Sequence, residues 1–269
     1  MAVPIRYSDL FPERKPLIAC IHLLALPGAP LYGGKPSAIY ERALAEAETF
    51  ARHGVDGLIV ENFRDVPFYP DRVPNETVAA MAAVGHEIRK AVKIPLGINV
   101  LRNDADAALS IAAAIGADFI RVNVHNAAVL TDQGIVQGRA YATLRKRDQL
   151  RAPVLIFADV AVKHAAPIAA LGLDIEARDL SERSLADALI VSGSGTGAAT
   201  QVQDLEVVQQ NTHLPVVIGS GTNPSNLRSL HSLADGFIVG SYFKRDGKAD
   251  NAVEEARVRD FCEIYAALA

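Results

Sequence analysis

The 269-residue sequence predicts an α/β fold, a single (β/α)8 TIM barrel spanning residues 1–269, and three observations carry that expectation. Eight short apolar runs rich in β-branched residues alternate with helix-patterned segments, as parallel strands joined by crossover helices require. The length is close to the roughly 250 residues of a typical single barrel. Finally, the last two apolar runs, Val216-Val217-Ile218-Gly219-Ser220-Gly221-Thr222 and Phe237-Ile238-Val239-Gly240-Ser241, both end in glycine and serine. Barrels commonly bind phosphate on the loops after their seventh and eighth strands, where glycine permits close backbone approach and bare N–H groups attract an anion. An open doubly wound sheet, the competing architecture, would place its glycine-rich turn after the first strand instead.

The strands are expected near Leu17–His22, Gly57–Asn62, Pro95–Val100, Phe119–Val124, Val154–Val160, Ala188–Ser192, Val216–Gly219 and Phe237–Gly240. Ser37 is placed to cap a helix rich in Ala and Glu that stops at Gly54, where glycine accepts the left-handed conformation. A second helix starts after Asn75, with Glu76 in its first turn and Arg89, Lys90 and Lys93 towards its end, a charge order that suits the helix dipole. A third runs from Asp104 to Gly116, and the last lies around Ala252–Leu268 with an apolar stripe of Val253, Val258, Phe261, Ile264 and Tyr265. Two connections, Leu23–Pro36 and Ala161–Asp179, are longer than packing demands. On a barrel both follow strand C-termini and lie at the active-site mouth. No internal repeat beyond the βα unit, low-complexity tract or interdomain linker is evident.

Half of the residues are hydrophobic and 22% are charged, so a chain of this size can bury a large core without disulfides or metal. A net charge of −4 and a pI near 6.0 argue against a nucleic-acid partner, which selects a basic face. Cys20 and Cys262 lie at opposite ends of the chain and form neither a disulfide framework nor a thiolate zinc motif, which fits a reducing cytoplasm. The segment Met1–Lys15 lacks the apolar stretch of a signal peptide, and no uncharged run approaches the ~20 residues of an integral membrane segment. The expected partner is a small phosphorylated metabolite, with a homo-oligomer expected by analogy with other barrels.

Side chains alternate along a strand, so the inward positions can be assigned by parity. They are Cys20/His22, Ile59/Glu61, Gly97/Asn99, Arg121/Asn123, Phe157/Asp159, Ile190/Ser192, Val217/Gly219 and Ile238/Gly240. The first six strands thus finish in polar groups and the last two in glycine. Burying so many polar groups is costly unless they bond one another, water or a ligand. Glu61 and Asp159 are the candidate acid and base, with Arg121, Lys163 and His22 as further catalytic candidates. The plainer explanation of Arg121 is an internal ion pair with either carboxylate, which would still pre-organise them. Lys163 is suited to binding a phosphate or carbonyl oxygen. Schiff-base chemistry is less favoured for it, because a lysine of that kind is expected on a strand, buried and depressed in pKa. Asn62, Asn99, Asn123, His164, Ser192 and Thr196 are candidate substrate-binding residues, since amides and hydroxyls both donate and accept. Gly193, Gly197, Gly219, Ser220, Gly221, Gly240 and Ser241 are the candidate phosphate-binding set, although the loop at Gly193 lacks the lysine of a nucleotide P-loop. A divalent metal on Glu61 and Asp159, with His22 as a third ligand, is a secondary possibility for which the sequence offers no HxH or HExxH pattern.

Several blocks resemble the BtpA/SgcQ family over nearly the whole chain. They include Ile21-His22-Leu23 with Leu26-Pro27-Gly28-Ala29-Pro30, Val60-Glu61-Asn62-Phe63-Arg64-Asp65-Val66-Pro67-Phe68, and Gly97-Ile98-Asn99-Val100-Leu101-Arg102-Asn103-Asp104. Further blocks are Arg121-Val122-Asn123-Val124, Thr131-Asp132-Gln133-Gly134, Ala158-Asp159-Val160 with Lys163-His164, Val191-Ser192-Gly193 with Thr196-Gly197, and Ile218-Gly219-Ser220-Gly221. The resemblance implies a phosphate-binding, ribulose-phosphate-binding-barrel-like fold. It also implies two different settings, photosystem I accumulation at peripheral thylakoid membranes in one branch and sugar utilisation in the other. The expected function is an enzyme acting on a phosphorylated sugar or a sugar-phosphate-bearing metabolite by carboxylate acid–base chemistry, through isomerisation, lyase or glycosidic cleavage, with a non-catalytic assembly or regulatory factor that binds a phosphorylated effector as the alternative.

Overall fold

The computed structural model describes residues 5–169, 171–193, 195 and 200–268. Along the chain run α1 (Tyr7–Leu10), β1 (Leu17–His22), α2 (Pro36–Arg52), β2 (Gly57–Glu61), α3 (Asn75–Ala91), β3 (Leu96–Asn99), α4 (Ala105–Ile115) and β4 (Phe119–Val122). A hairpin of β5 (Ala128–Thr131) and β6 (Gly134–Gln137) follows, then α5 (Ala140–Leu150), β7 (Leu155–Val160), β8 (Ala165–Pro167), α6 (Leu173–Arg178), β9 (Ala188–Val191) and α7 (Val202–Gln210). The remaining elements are β10 (Val216–Ile218), α8 (Pro224–His231), β11 (Gly236–Val239) and α9 (Glu255–Ala266).

Eight of these strands close into a parallel barrel in the order β1-β11-β10-β9-β7-β4-β3-β2. The predicted strands are all present, most ending one or two residues earlier than expected because the hydrogen-bonded ladder stops where the chains splay into loops. Parity also holds. Ile18, Cys20, Ile59, Phe119, Leu155, Phe157, Ala188, Ile190, Val217 and Ile238 form the barrel's internal core, while alternate residues such as Ala19, Val60, Ile98, Ile156 and Val216 pack in a second core that includes the surrounding helices. Gly97 stands at an inward position where a Cβ would overlap the ring of Phe119, which stacks on Phe157. Phe11, just after α1, joins this internal core with Tyr7 and Leu10 packed against it.

Helix boundaries follow their local signals, with two differences. Asp104 caps α4 by accepting the Ala107 N–H at 2.9 Å, and Gly116 ends it at φ 70°. Ser37, expected as a cap, lies inside α2, which starts at Pro36 after Lys35; proline's missing N–H costs nothing in a first turn. Asn75 is likewise the first residue of α3 instead of preceding it. The long connection Ala161–Asp179 is partly ordered: β8 pairs antiparallel with β5, giving a three-stranded sheet β6-β5-β8 outside the barrel. Among the described residues no helix is long and apolar enough to cross a membrane.

The N-terminal ends of the strands carry a period of two βα units. Asp56, Asp118, Asp187 and Asp235 each stand immediately before β2, β4, β9 and β11, and each follows a small apolar residue. Their carboxylates accept N–H groups from Leu17, Leu96, Ile156 and Val216 on the intervening strands, at 2.7–2.9 Å. Arg14, Arg89 and Arg147 pair with the first three. Asp187→Ala removes an acceptor from Ile156 and a partner from Arg147, and should lower stability by about 1–3 kcal/mol. Urea titration checks this through a lower midpoint, with ligand binding at the other end of the barrel unchanged.

Candidate active site

The polar ends of the inward-facing strand residues converge above the apolar core. Arg121 of β4 lies at their centre and is buried with Glu61 and Asp159. It grips Asp159 at the end of β7 through two bonds, Nε donating to Oδ2 at 3.1 Å and Nη2 to Oδ1 at 2.8 Å, while Nη1 reaches Glu61 Oε1 at 3.5 Å. Asn123 Nδ2 donates to Asp159 Oδ2 at 2.6 Å, and its own Oδ1 accepts from Asn99 Nδ2 at 3.2 Å. Burial opposes the charge on Arg121, but the carboxylates of Asp159 and Glu61 outweigh it and hold the guanidinium above its ordinary pKa.

Glu61, at the end of β2, has only that one long contact to the guanidinium. Burial pushes its carboxyl above the ordinary glutamate range despite the opposing pull of Arg121 and Lys163. Its Oε2 lies 3.7 Å from His22 Nε2. His22 Nδ1 is 3.2 Å from the Ala249 carbonyl, which selects the tautomer protonated on Nδ1 and leaves the Nε2 lone pair towards Glu61. Burial, reinforced by nearby Lys244, lowers the imidazole pKa to about 3, so His22 is neutral at ordinary pH. Phe63 stacks on the ring at 4.2 Å between centroids.

These groups open into a pocket of about 460 Å³, counted out to its mouth, lined by His22, Glu61, Arg121 and Lys163. The same pocket is lined by Gly219, Ser220 and Gly221 after β10 and by Gly240 and Ser241 after β11. A Cβ at Gly219 would overlap Ile190 and the Ser192 hydroxyl, and one at Gly240 would press to 3.3 Å on the His22 ring. Thr222 was not singled out from the sequence. It lines the pocket with its buried hydroxyl lacking any partner among the described residues, which fits a ligand oxygen.

The other sequence candidates fall elsewhere. Asp159, Asn99 and Asn123 stand behind Arg121 and do not line the pocket, although Asn99 Oδ1 and the Ser192 hydroxyl are buried without a partner. Asn62 has the opposite parity to Glu61: its amide bridges the Leu101 backbone and Asp65, and it lines a separate hollow with Phe68 and Tyr69. His164 is exposed, Gly193 is buried outside the pocket lining, and Thr196 and Gly197 lie outside the described residues. The proposed Glu61–Asp159 metal pair is not supported, because Arg121 and Asn123 occupy both Asp159 oxygens. Donor atoms of Cys20, His22 and Glu61 do converge within 4.8 Å, but Arg121 and Lys163 line the same pocket, and their positive charge opposes a cation there.

Three supporting contacts had no local sequence signal. Arg102 Nη2 donates to the Lys163 carbonyl at 2.5 Å, fixing the loop after β7. Lys244, fully buried, donates to Glu46 of α2 at 2.6 Å, and Arg42 donates to the Asn251 carbonyl at 2.6 Å. Together they hold the segment that delivers the Ala249 carbonyl to His22. Glu46→Leu leaves the Lys244 charge buried and unpaired, and should cost about 3–5 kcal/mol. Adding Lys244→Met should recover much of that loss, a comparison readable by chemical denaturation of the two variants.

Comparison with known proteins agrees with this architecture. Residues 13–267 match the BtpA family. An uncharacterized protein of Thermococcus kodakarensis is 47% identical, covering 94% of this chain and 95% of its own length. The photosystem I biogenesis protein BtpA of Synechocystis is 44% identical, covering 95% and 90%. Among solved structures, thiamine phosphate pyrophosphorylase from Pyrococcus furiosus superposes with a TM-score of 0.59 at 13% identity, covering 94% of this chain and 96% of that one. Phosphoribosyl anthranilate isomerase from Thermus thermophilus gives 0.58 at 12% identity, covering 94% and 100%. These two likenesses extend to the fold alone, whereas the sequence matches establish kinship: the chain belongs to the BtpA family.

Proposed function

We propose that the protein is an enzyme acting on a phosphorylated sugar, or on a metabolite that carries one, by proton transfer beside a carbonyl or anomeric carbon. Isomerisation, lyase cleavage and glycosidic cleavage share that step. The observation that carries the reading is one pocket in which a buried, protonatable Glu61 faces neutral His22 while the glycine–serine turns after β10 and β11 form part of the wall. The turns offer backbone approach to a phosphate, as in other barrels that bind phosphate at these loops. Glu61 is the acid–base group, its pKa raised by burial, which favours its taking and returning a proton. Arg121 faces negative charge developing on a substrate oxygen. Asp159 is a positioning residue that holds the guanidinium in place.

The enzyme reading is tested by a thermal-shift screen of phosphate, sugar phosphates, nucleotides and their dephosphorylated counterparts, with each hit examined for turnover by mass spectrometry. A phosphorylated hit that is consumed supports it. Glu61→Gln should then lower kcat by about 10²-fold or more with melting unchanged. As pH falls through the raised Glu61 pKa the base is protonated and kcat/KM drops. That acidic limb should vanish in Glu61→Gln, and His22 should contribute none near neutrality.

A second reading is favoured by one observation, the name of the Synechocystis relative, a photosystem I biogenesis protein. On that reading the barrel is a non-catalytic factor that binds a phosphorylated effector. A ligand that stabilises the protein and is recovered unchanged would favour it over catalysis. Equal stabilisation by phosphorylated and dephosphorylated compounds would overturn the assignment of the glycine–serine turns.

A further inference from the structure

Two lysines near the pocket, fully buried Lys244 and partly buried Lys163, have opposite electrostatic settings. Lys244 is neutralised by Glu46 at 2.6 Å. Lys163 has no carboxylate within ion-pairing distance among the described residues: both Asp159 oxygens are taken by Arg121 and Asn123, and Glu61 leans on Arg121. Among the described residues its side chain makes one long hydrogen bond, Nζ donating to the Gly219 carbonyl at 3.5 Å. The backbone around it is firmly set. Ala161 and His164 on either side take left-handed conformations at φ 49° and 54°, Glu176 accepts the Ala161 N–H, and Arg102 donates to the Lys163 carbonyl. The fold therefore holds an amine at the pocket wall, which Glu61 also lines, with no counter-ion among the described residues.

We propose that Lys163 is a catalytic nucleophile whose Nζ condenses with the carbonyl carbon of a phosphorylated aldose or ketose to form a Schiff base. This deepens the function proposed above and rests on its assignment of the pocket to a phosphorylated carbonyl compound. The neutral amine attacks the carbonyl carbon, a C–N bond forms, and the carbonyl π electrons move to oxygen, which takes a proton. Loss of that oxygen as water, carrying the two amine protons in total, completes the C=N bond, and Glu61 is placed to relay the protons. Neither oxidant nor reductant is needed. Burial, together with the neighbouring Arg121 charge, lowers the Lys163 pKa to about 8, which supplies neutral amine near physiological pH. The sequence led to the opposite expectation because Lys163 lies three residues past β7 instead of on it, yet it is partly buried and lines the pocket with Glu61, as this chemistry requires.

The test is reductive trapping on the full chain. Dihydroxyacetone phosphate, glyceraldehyde 3-phosphate and ribose 5-phosphate are each incubated with the protein and sodium borohydride, beside unphosphorylated dihydroxyacetone, and adducts are located by peptide mass mapping. The same phosphorylated probes are run in thermal shift. The expected result is a single adduct per chain on Lys163 from at least one phosphorylated probe, its yield rising with pH through about 8 as the amine loses its proton. Lys163→Arg and Lys163→Met should take no label, and either variant suffices if it melts like the unsubstituted chain. A probe that shifts melting but leaves Lys163 unlabelled overturns the Schiff base while leaving the phosphorylated-ligand reading intact. So does labelling spread over surface lysines, or equal labelling in Lys163→Arg. Absence of both shift and adduct across the panel overturns the two together.

Discussion

A guanidinium enclosed by a barrel has to be paired, and the pairing of Arg121 organises the polar layer above the apolar core. Taking an ion out of water costs several kcal/mol even after relaxation, so the charge is supportable only where carboxylates and further hydrogen bonds surround it. Asp159 meets that need with two parallel bonds, and Asn123 and Asn99 extend the network from β4 and β3. The consequence is asymmetry between two carboxylates that look equivalent along the chain. Asp159 is committed to geometry, whereas Glu61 keeps one long contact with the guanidinium and an open edge towards His22 and the pocket. The same arrangement leaves Lys163 without a counter-ion among the described residues.

Stability and chemistry are segregated along the barrel axis. At the N-terminal ends, four aspartates bind the N–H groups of alternate strands, and arginines neutralise three of them near solvent, where partial hydration reduces the cost of charge. At the C-terminal ends the buried polar atoms are less completely satisfied: Asn99 Oδ1, Ser192 Oγ and Thr222 Oγ1 lack partners among the described residues. Native proteins seldom leave such groups unpaired, and Thr222, the one of the three that lines the pocket, is suited to a ligand or ordered water.

The contacts that finish the site come from outside the strands. The segment following β11 is tied to α2 by Lys244–Glu46 and by Arg42, and its Ala249 carbonyl sets the His22 tautomer. On another side, Arg102 after β3 fixes the loop that carries Lys163. Each catalytic candidate is thereby oriented by a residue from a different βα unit. A barrel affords this readily, since neighbouring strand ends deliver their loops to a common rim.

Strand positions, inward parity and the glycine–serine turns are legible in the sequence. They depend on local periodicity, and the two-residue alternation of a strand fixes the direction of Arg121, Glu61 and Asp159 once one inward residue is assigned. The four aspartates before alternate strands were also visible in the chain, but their meaning lay in the hydrogen bonds to neighbouring strands. Closure alone decided which groups pair: Arg121 by two bonds with Asp159 and by one long contact with Glu61, Asn62 with Asp65 instead of the pocket, β8 with β5, and Lys244 with Glu46 across 198 residues of sequence. Such choices turn on distances and dielectric surroundings that exist only after the ring of strands has formed, whereas the pattern of apolar side chains that drives the ring to form is written residue by residue.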